Sequence, residues 1–343
     1  MTCTITVAGD PQPVPAEEGE TILDALLNHG VSFAYSCEAG NCGTCKCEYV
    51  SGEIFELERS EHALSLAERE RGIILACRTQ VWGDVEVRRL STEEFVMHPS
   101  RVMRCRVQDL DTVTYDVLRL RLQIESGGPY TFSAGQFAKL QFPFAPEAVR
   151  DYSMANRPDE AILEFHIRSL AGGVSGRLRS QLGVGDTVRV SGPFGTSYLR
   201  EDHEGPLLAV AGGTGLAPIR SIVSTALNKG LARSIHLYLG VRAERDVYGE
   251  AELRDWEQRY PNLKVHIALS DEMPANGRRR HGTVTDVMRA DFPDLTGTQA
   301  YLAGPPAMVD MAKSLLFADG VPARDVHADA FYSASDPPGK EAA

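Results

Sequence analysis

Hydrophobic positions fall into three textures along the chain. From Thr2 to about Val87 short elements alternate. TCTITV (2–7) has the two-residue period of a half-buried strand, and ILDALLNHG (22–30) has the spacing of an amphipathic helix. A second helix is expected near residues 62–70, followed by the strand DVEVRRL. Between residues 100 and 200 the runs RCRVQDL, DVLRLRLQI, FAKLQF, ILEFHI and DTVRVSG recur with Gly and Pro between them, which predicts an antiparallel β-barrel. After Gly205 the apolar runs LLAVA, IHLYLGV, KVHIAL, QAYLAG and DVHADAF are separated by helical stretches, as in an open, mostly parallel α/β sheet with helices on both faces. STEEFVMHPS, closed by Pro99, reads as a linker, and the tail SASDPPGKEAA as disordered. The chain of 343 residues therefore divides into three expected domains, 1–95, 96–202 and 203–343.

The first texture carries the sharpest chemical signal. Cys37, Cys42 and Cys45 lie in YSCEAGNCGTC, and Cys77 follows 32 positions later in GIILAC. This C-x4-C-x2-C…C spacing is the plant-type 2Fe-2S signature, and the element order around it is that of a β-grasp domain. Three thiolates come from one loop and the fourth closes the cage from a separate segment. Gly40 and Gly43 suit such a loop, because a residue without Cβ permits positive φ and lets backbone N–H groups approach the sulfurs. A zinc site would more often show two C-x2-C pairs. Cys47, on the following strand, reads as packing, and Cys3 and Cys105 as buried thiols.

Charge separates this segment from the rest. Residues 1–95 hold 17 Asp and Glu against 7 Lys and Arg, a balance of −10, whereas the remainder holds 30 against 28. Either the acidity is a solvated surface, or it is a docking face for a partner with a basic patch. A nucleic-acid binder would show a basic stripe instead. No charged-then-apolar leader occurs and no apolar run nears roughly 18 residues, so neither export nor a membrane span is expected. The cysteines fit a reducing cytoplasm.

In the barrel texture, RDYS places Arg150 and Tyr152 on one face of a strand and Ser153 on the other. An arginine can pair with a pyrophosphate, a tyrosine can stack on an isoalloxazine, and a serine hydroxyl can reach a flavin ring nitrogen. Four residues alone would be coincidence. FHIRSLAGGVSGRL adds Gly172, Gly173 and Ser175 at the start of a predicted helix whose N–H groups could hold phosphate, although a plain glycine turn explains them equally. His166 and Arg168 taken singly read as packed or solvated strand residues.

In the third texture, AGGTGLAP follows a strand and opens a helix, the place where a dinucleotide pyrophosphate binds. The match is G-x-G-x-x-P, weak by itself. A second glycine turn, AGPPAM (303–308), follows a later strand, and two such turns would line the ligand crevice of an open α/β sheet. Near YLGVR, Arg242 and Arg245 would welcome a ribose phosphate while Glu244 and Asp246 would repel it. Phe331, in the final strand, either covers a flavin face or belongs to the core.

Taken together, YSCEAGNCGTCKC, RDYSMAN, EFHIR with GGVS, SGPFGTSYL, AGGTGLAP, YLGVR, YLAGPPAMV and ADAFY occur in the order shown by the ferredoxin-NAD(P)+ reductase superfamily with an N-terminal plant-type ferredoxin domain. Nearly the whole chain resembles reductase components of bacterial aromatic-ring-hydroxylating dioxygenases, of the naphthalene dioxygenase reductase type. The resemblance implies that Cys37, Cys42, Cys45 and Cys77 bind the cluster. It implies FAD contacts from Arg150, Tyr152, Ser153, His166, Ile167, Arg168, Gly173, Val174 and Ser175, and NAD(P)H contacts from Gly212, Gly213, Thr214, Arg242, Gly304 and Pro305. Ser153, Asp329 and Phe331 would stand at the hydride-transfer site. Two positions depart from the pattern: Ala303 replaces a common cysteine, and Asp329 a common glutamate.

The implied activity is an oxidoreductase that passes electrons from NADH, or NADPH, to FAD, to the 2Fe-2S cluster and on to a Rieske ferredoxin or terminal oxygenase. A plant-type cluster near roughly −400 mV can feed a Rieske centre at roughly −150 to +300 mV. The chain itself has no C-x-H…C-x-x-H Rieske pattern. The alternatives are the reductase of a diiron or other monooxygenase, and a cluster-based redox sensor or carrier without turnover.

Overall fold

The computed structural model describes residues 2–61, 63–90, 96, 98–274 and 277–332. Most of the expected linker 91–100 and the whole tail SASDPPGKEAA lie outside the described residues. The chain divides into two compact units, one holding residues up to 97 together with Tyr332, the other holding His98–Phe331.

The first unit is a β-grasp. Strands β1 (Thr2–Val7) and β2 (Val14–Glu17) form a hairpin, helix α1 (Ile22–Asn28) follows, and β3 (Lys46–Glu56), α2 (Leu66–Glu70), β4 (Ile73–Leu75) and β5 (Thr79–Arg89) complete the sheet. The order is β2-β1-β5-β3-β4, with β1 and β5 parallel and the other pairs antiparallel. Thr21 caps α1 by accepting the Asp24 N–H, and Ile22, Leu23, Ala25 and Leu26 bury its inner face. The second helix is shorter than expected and starts at Leu66. A capping box explains the start: Ser65 and Glu68 satisfy each other's backbone N–H groups.

The second unit holds two sheets. Six antiparallel strands, β6 (Arg101–Thr112), β7 (Val117–Ser126), β8 (Phe137–Gln141), β9 (Val149–Ser153), β10 (Ile162–Arg168) and β11 (Thr187–Phe194), run in the order β10-β7-β6-β11-β8-β9, with α3 (Val174–Gln181) between the last two in sequence. A bridge between Met154 and Phe165 brings the two edges together into a barrel. Alternate residues fill it: Met103, Cys105 and Val107 from β6, Leu118, Leu120 and Leu122 from β7, Leu163, Phe165 and Ile167 from β10.

The other sheet is wholly parallel. It contains β12 (Leu207–Gly212), β13 (Ile235–Val241), β14 (Leu263–Leu269), β15 (Arg280–His281), β16 (Gln299–Gly304) and β17 (Val326–Ala330), interleaved with α4 (Leu216–Asn228), α5 (Glu250–Arg259), α6 (Val284–Asp291) and α7 (Pro306–Ala318). Every residue of β12 and β16 is buried, as expected where helices cover both faces. The order β15-β14-β13-β12-β16-β17 reverses direction between β12 and β16. The crevice at the C-terminal ends of these two strands is where open α/β sheets bind ligands.

Candidate functional site

The cysteine loop is held open by left-handed backbone. Gly40 and Gly43 have φ of +77° and +71°, and Glu38, at +52°, is the sole non-glycine residue with positive φ among the described residues. Space also forbids a side chain at Gly40, whose Cβ would lie 2.6 Å from Arg78 Cγ, and at Gly43, whose Cβ would lie 2.7 Å from the Ala63 carbonyl oxygen. The folded loop aims N–H groups at sulfur: Asn41 and Cys42 both donate to Cys37 Sγ at 3.3 Å, and Thr44 donates to Cys42 Sγ at 3.5 Å. Cys77 sits on a 3-10 turn (Ala76–Arg78), and the Ala76 N–H donates to the Cys45 carbonyl at 3.0 Å.

The four sulfurs come as two pairs. Cys45 and Cys77 Sγ are 3.2 Å apart, and Cys37 is hydrogen-bonded to Cys42. Four thiols gathered in this way suit a 2Fe-2S cluster, which four cysteine thiolates would hold. Cys47 lies in the core of the first unit on β3, and Cys3 and Cys105 are buried thiols.

In the second unit, RDYS forms β9. Arg150 is exposed and bonds the Val149 carbonyl. Tyr152 packs edge-on against Phe142, with burial raising its hydroxyl pKa to about 12. Ser153, buried, donates from Oγ to Asp329 Oδ2 at 3.1 Å, which joins the end of β9 to β17. Gly173 is the N-cap of α3 and makes no side-chain cap, so the first N–H groups of the helix, from Val174 onward, are left for a ligand. A Cβ on Gly172 would meet nothing within 4 Å and one on Gly173 only the Leu170 carbonyl oxygen at 3.7 Å, so this turn is open to an approaching phosphate. These features fit a flavin diphosphate.

Three of the expected flavin contacts have side chains engaged within the protein. Ile167 points into the barrel core, and the Ser175 hydroxyl accepts the Leu170 N–H at 3.1 Å. His166 is turned away into a buried chain, its Nε2 3.1 Å from Glu164 Oε1 and its Nδ1 3.2 Å from the Tyr248 hydroxyl. The reason is strand alternation: Leu163, Phe165 and Ile167 fill the barrel, so Glu164 and His166 share the opposite face of β10. For His166 and Ile167 it is therefore the backbone that remains for a cofactor. Arg168 is exposed and paired with Asp116 at 2.9 Å.

Sequence reasoning missed the network around Glu164. Arg121 and Arg220 flank its carboxylate at 3.0 and 3.8 Å, and Arg220 also grips Glu252 and the Ala155 carbonyl. Burial raises the Glu164 pKa, but the His166 bond and the Arg220 charge outweigh it and hold the value near 2. No local signal marks these residues, because Glu and His alternating with apolar residues look like a solvated face.

At the sheet edge the two glycine turns touch. A Cβ on Gly212 would lie 2.6 Å from Pro305 Cδ, one on Gly304 (φ +141°) 2.8 Å from the Gly212 carbonyl oxygen, and one on Gly215 only 2.0 Å from the Ala303 carbonyl oxygen. Thr214 lies in the 3-10 turn (Gly213–Gly215) that opens α4. The Phe331 N–H donates to the Gly304 carbonyl at 2.8 Å, and Asp329 is the register partner of Ala303. Ser153, Asp329, Phe331 and both glycine turns are thus linked through short bonds and contacts. Arg242 stands apart, donating to the Tyr115 hydroxyl at 3.3 Å.

Known proteins agree with this assembly. The 2Fe-2S iron-sulfur cluster binding domain family matches residues 5–81, the oxidoreductase FAD-binding domain family residues 104–198, and the oxidoreductase NAD-binding domain family residues 209–314. The chain is 44% identical over 92% of its length, and 95% of the relative's, to the ferredoxin–NAD(P)(+) reductase component of the naphthalene 1,2-dioxygenase/salicylate 5-hydroxylase systems of Ralstonia sp. It is 38% identical to the corresponding naphthalene 1,2-dioxygenase component of Pseudomonas putida, over 93% and 95% of the two chains. Among solved structures, the Amycolatopsis cytochrome P450 reductase GcoB superposes with a TM-score of 0.81 at 35% identity, covering 97% of this chain and 100% of that one. The molecule is therefore an oxidoreductase that carries 2Fe-2S, FAD-binding and NAD-binding domains. More closely, it belongs to the reductase components of bacterial aromatic-ring-hydroxylating dioxygenases, of the naphthalene dioxygenase reductase type, in which electrons pass from NADH to FAD to the cluster. No helix among the described residues is long and apolar enough to cross a membrane.

Proposed function

We propose that this protein takes reducing equivalents from NADH at the C-terminal edge of its parallel sheet and passes them singly to a Rieske ferredoxin or to the terminal oxygenase of an aromatic-ring-hydroxylating system, in the cytoplasm. When bound, FAD supplies two-electron chemistry toward the nicotinamide and the 2Fe-2S cluster supplies one-electron chemistry toward the partner. The residues of the chain do the holding. Arg150 and the α3 N–H groups after Gly173 neutralise the flavin diphosphate, and Tyr152 offers its ring as a stacking surface. Gly212, Gly213, Thr214, Gly304 and Pro305 receive the nicotinamide nucleotide, with Arg242 at the margin.

Ser153 keeps a proton at Oγ, oriented by Asp329, where the flavin and nicotinamide machineries meet. Phe331, fixed through its N–H, screens that point from water. Cys37, Cys42, Cys45 and Cys77 would hold the cluster. The observation that carries the reading is the 3.1 Å bond from Ser153 to Asp329, which links the flavin-type barrel to the last strand of the nucleotide-type sheet.

The test is anaerobic mixing of the FAD- and cluster-loaded protein with NADH and a purified Rieske ferredoxin. Catalytic reduction of the ferredoxin is expected, slowing as salt screens the −10 balance of the first 95 residues. The likeness to a cytochrome P450 reductase supports a second reading. Reduction of a P450 with no reduction of any Rieske acceptor would establish it over the first.

A further inference from the structure

We infer that Tyr332 is a positioning residue for the iron-sulfur cluster, and that it raises the cluster's reduction potential through the peptide bond between Asn41 and Cys42. The inference rests on the cluster reading and deepens it with a side chain that lies outside the cysteine motif, 291 positions from Asn41 in sequence.

Within the first unit the partly buried Tyr332 hydroxyl donates to the Asn41 carbonyl oxygen at 2.7 Å, an ordinary O–H···O length. That carbonyl belongs to the same peptide group as the Cys42 N–H, which donates to Cys37 Sγ at 3.3 Å. The two bonds therefore lie in series, phenol to carbonyl on one side of the peptide and amide to sulfur on the other. The preceding peptide is arranged alike. Its Gly40 carbonyl accepts the Ser60 N–H at 3.1 Å, and its Asn41 N–H donates to Cys37 Sγ at 3.3 Å. Both amides aimed at Cys37 thus belong to peptides whose carbonyls are engaged, one by backbone and the other by a single hydroxyl.

The series has an electrical consequence. A carbonyl that accepts a hydrogen bond polarises its peptide, and the N–H at the other end becomes a stronger donor, by about 10–30% per bond. With the four thiolates holding the cluster, Cys37 Sγ is an anionic acceptor whose electron density increases when the cluster takes up an electron. A stronger donor favours that reduced state. The hydroxyl also pins the stretch between Gly40 and Gly43, which turn at φ of +77° and +71°, so the amides keep their aim.

The experiment is a potentiometric titration of the cluster, followed by EPR, in the FAD- and cluster-loaded full chain. Tyr332→Phe keeps the ring and removes only the hydroxyl. It should lower the equilibrium constant for cluster reduction about two- to threefold, which at roughly 59 mV per tenfold is about 18–28 mV. Tyr49→Phe is the control, because it removes a bond of the same 2.7 Å length in the same unit, to the Gly52 carbonyl on β3 and outside the cysteine loop. Its potential should match that of the natural protein. Tyr332→3-fluorotyrosine, a stronger donor that keeps the bond, should move the potential upward at mildly acidic pH, where the phenol stays protonated. An unmoved potential in Tyr332→Phe, an equal fall in Tyr49→Phe, or no rise with fluorotyrosine overturns the inference. Should Tyr332→Phe take up no iron, the fluorotyrosine variant decides by the sign of its shift. A natural protein with no reduced-cluster EPR signal would sink the cluster reading and the inference with it, an outcome distinct from a cluster that is present and unmoved.

Discussion

Replacing Tyr248 with Phe tests whether the buried chain from Glu164 to the first glycine turn holds the second unit together. The Tyr248 hydroxyl lies 3.2 Å from His166 Nδ1 and 3.4 Å from the Gly213 carbonyl oxygen, and has one proton for the two acceptors. The imidazole decides between them. Burial lowers the His166 pKa, with the Arg220 and Arg119 charges adding to the effect and only partly opposed by Glu164, so the ring is neutral near pH 7. Glu164 stays ionised and accepts from Nε2, which makes Nδ1 the acceptor for Tyr248.

Tyr248→Phe keeps the ring, and with it the T-shaped contact to His166 at 5.3 Å, but leaves a buried ring nitrogen unpaired. An unsatisfied buried acceptor costs about 1–3 kcal/mol. For a unit of 150–250 residues each kcal/mol moves Tm by roughly 2–4 °C, so a loss near 2 kcal/mol lowers Tm by about 4–8 °C. Scanning calorimetry of the FAD-loaded full chain reads this directly. A Tm within about 1 °C of the natural protein would refute the chain as a structural tie.

Three further outcomes follow from the geometry. Cys45→Ser breaks the Cys45–Cys77 pair, so iron content and the visible cluster absorbance should fall while NADH still reduces the flavin; full retention of iron would exclude Cys45 as a ligand. Ser153→Ala removes the hydroxyl bonded to Asp329 and should slow flavin reduction roughly 10- to 100-fold at saturating NADH, the size of one hydrogen bond to a charged group, whereas an unchanged limiting rate in stopped-flow would remove Ser153 from the chemistry. Acid should destabilise the second unit in two stages. Burial lowers the pKa of His327 from 6.5 to about 3, so its contribution is complete above 6.5 and declines as pH falls toward 3; Glu164, lowered from 4.5 to about 2, contributes fully above 4.5 and declines toward 2. Urea titrations across this range should show the loss, and His327→Phe, which keeps a ring beside Tyr301, should flatten its upper stage; an identical slope in the variant counts against it.

What the sequence disclosed, and what it concealed, divides along the range of the interactions. Five strands of the parallel sheet were legible as short apolar runs, whereas β15 is the exposed polar pair Arg280–His281 and left no such mark; the barrel strands were legible because Leu118, Leu120 and Leu122 or Leu163, Phe165 and Ile167 keep a strict period of two. The four candidate cluster cysteines stood out because a metal centre fixes such a spacing. By contrast, β3 was legible only at its start, around Cys47: its second half is largely exposed and carries a glycine, so KCEYVSGEIFE shows no clean alternation. β2, VPAE, is four residues with a proline. Glu164 and His166 look like solvent-facing residues until another layer covers them, and nothing in GRRRHG tells that Arg279 is the arginine paired with both Glu244 and Glu250. These features depend on partners far away in the sequence, so no local pattern records them.

The glycines show why a motif and a site are separable even when they coincide. Gly212, Gly215 and Gly304 are demanded by the fold whether or not a nucleotide is bound, because a Cβ at any of them would strike the opposing turn at 2.0–2.8 Å. Their presence in AGGTG and AGP therefore testifies first to close packing at the strand-order reversal. Gly213 and Gly172 are different: no atom lies within 4 Å of a Cβ there, and only φ of +54° and +78° keeps larger residues out. At those two positions the backbone is turned outward into open space at the start of a helix, an arrangement that packing does not need and that an anion can use. The first group creates the crevice and the second group faces it, so the weak G-x-G-x-x-P string gains its meaning from the fold around it.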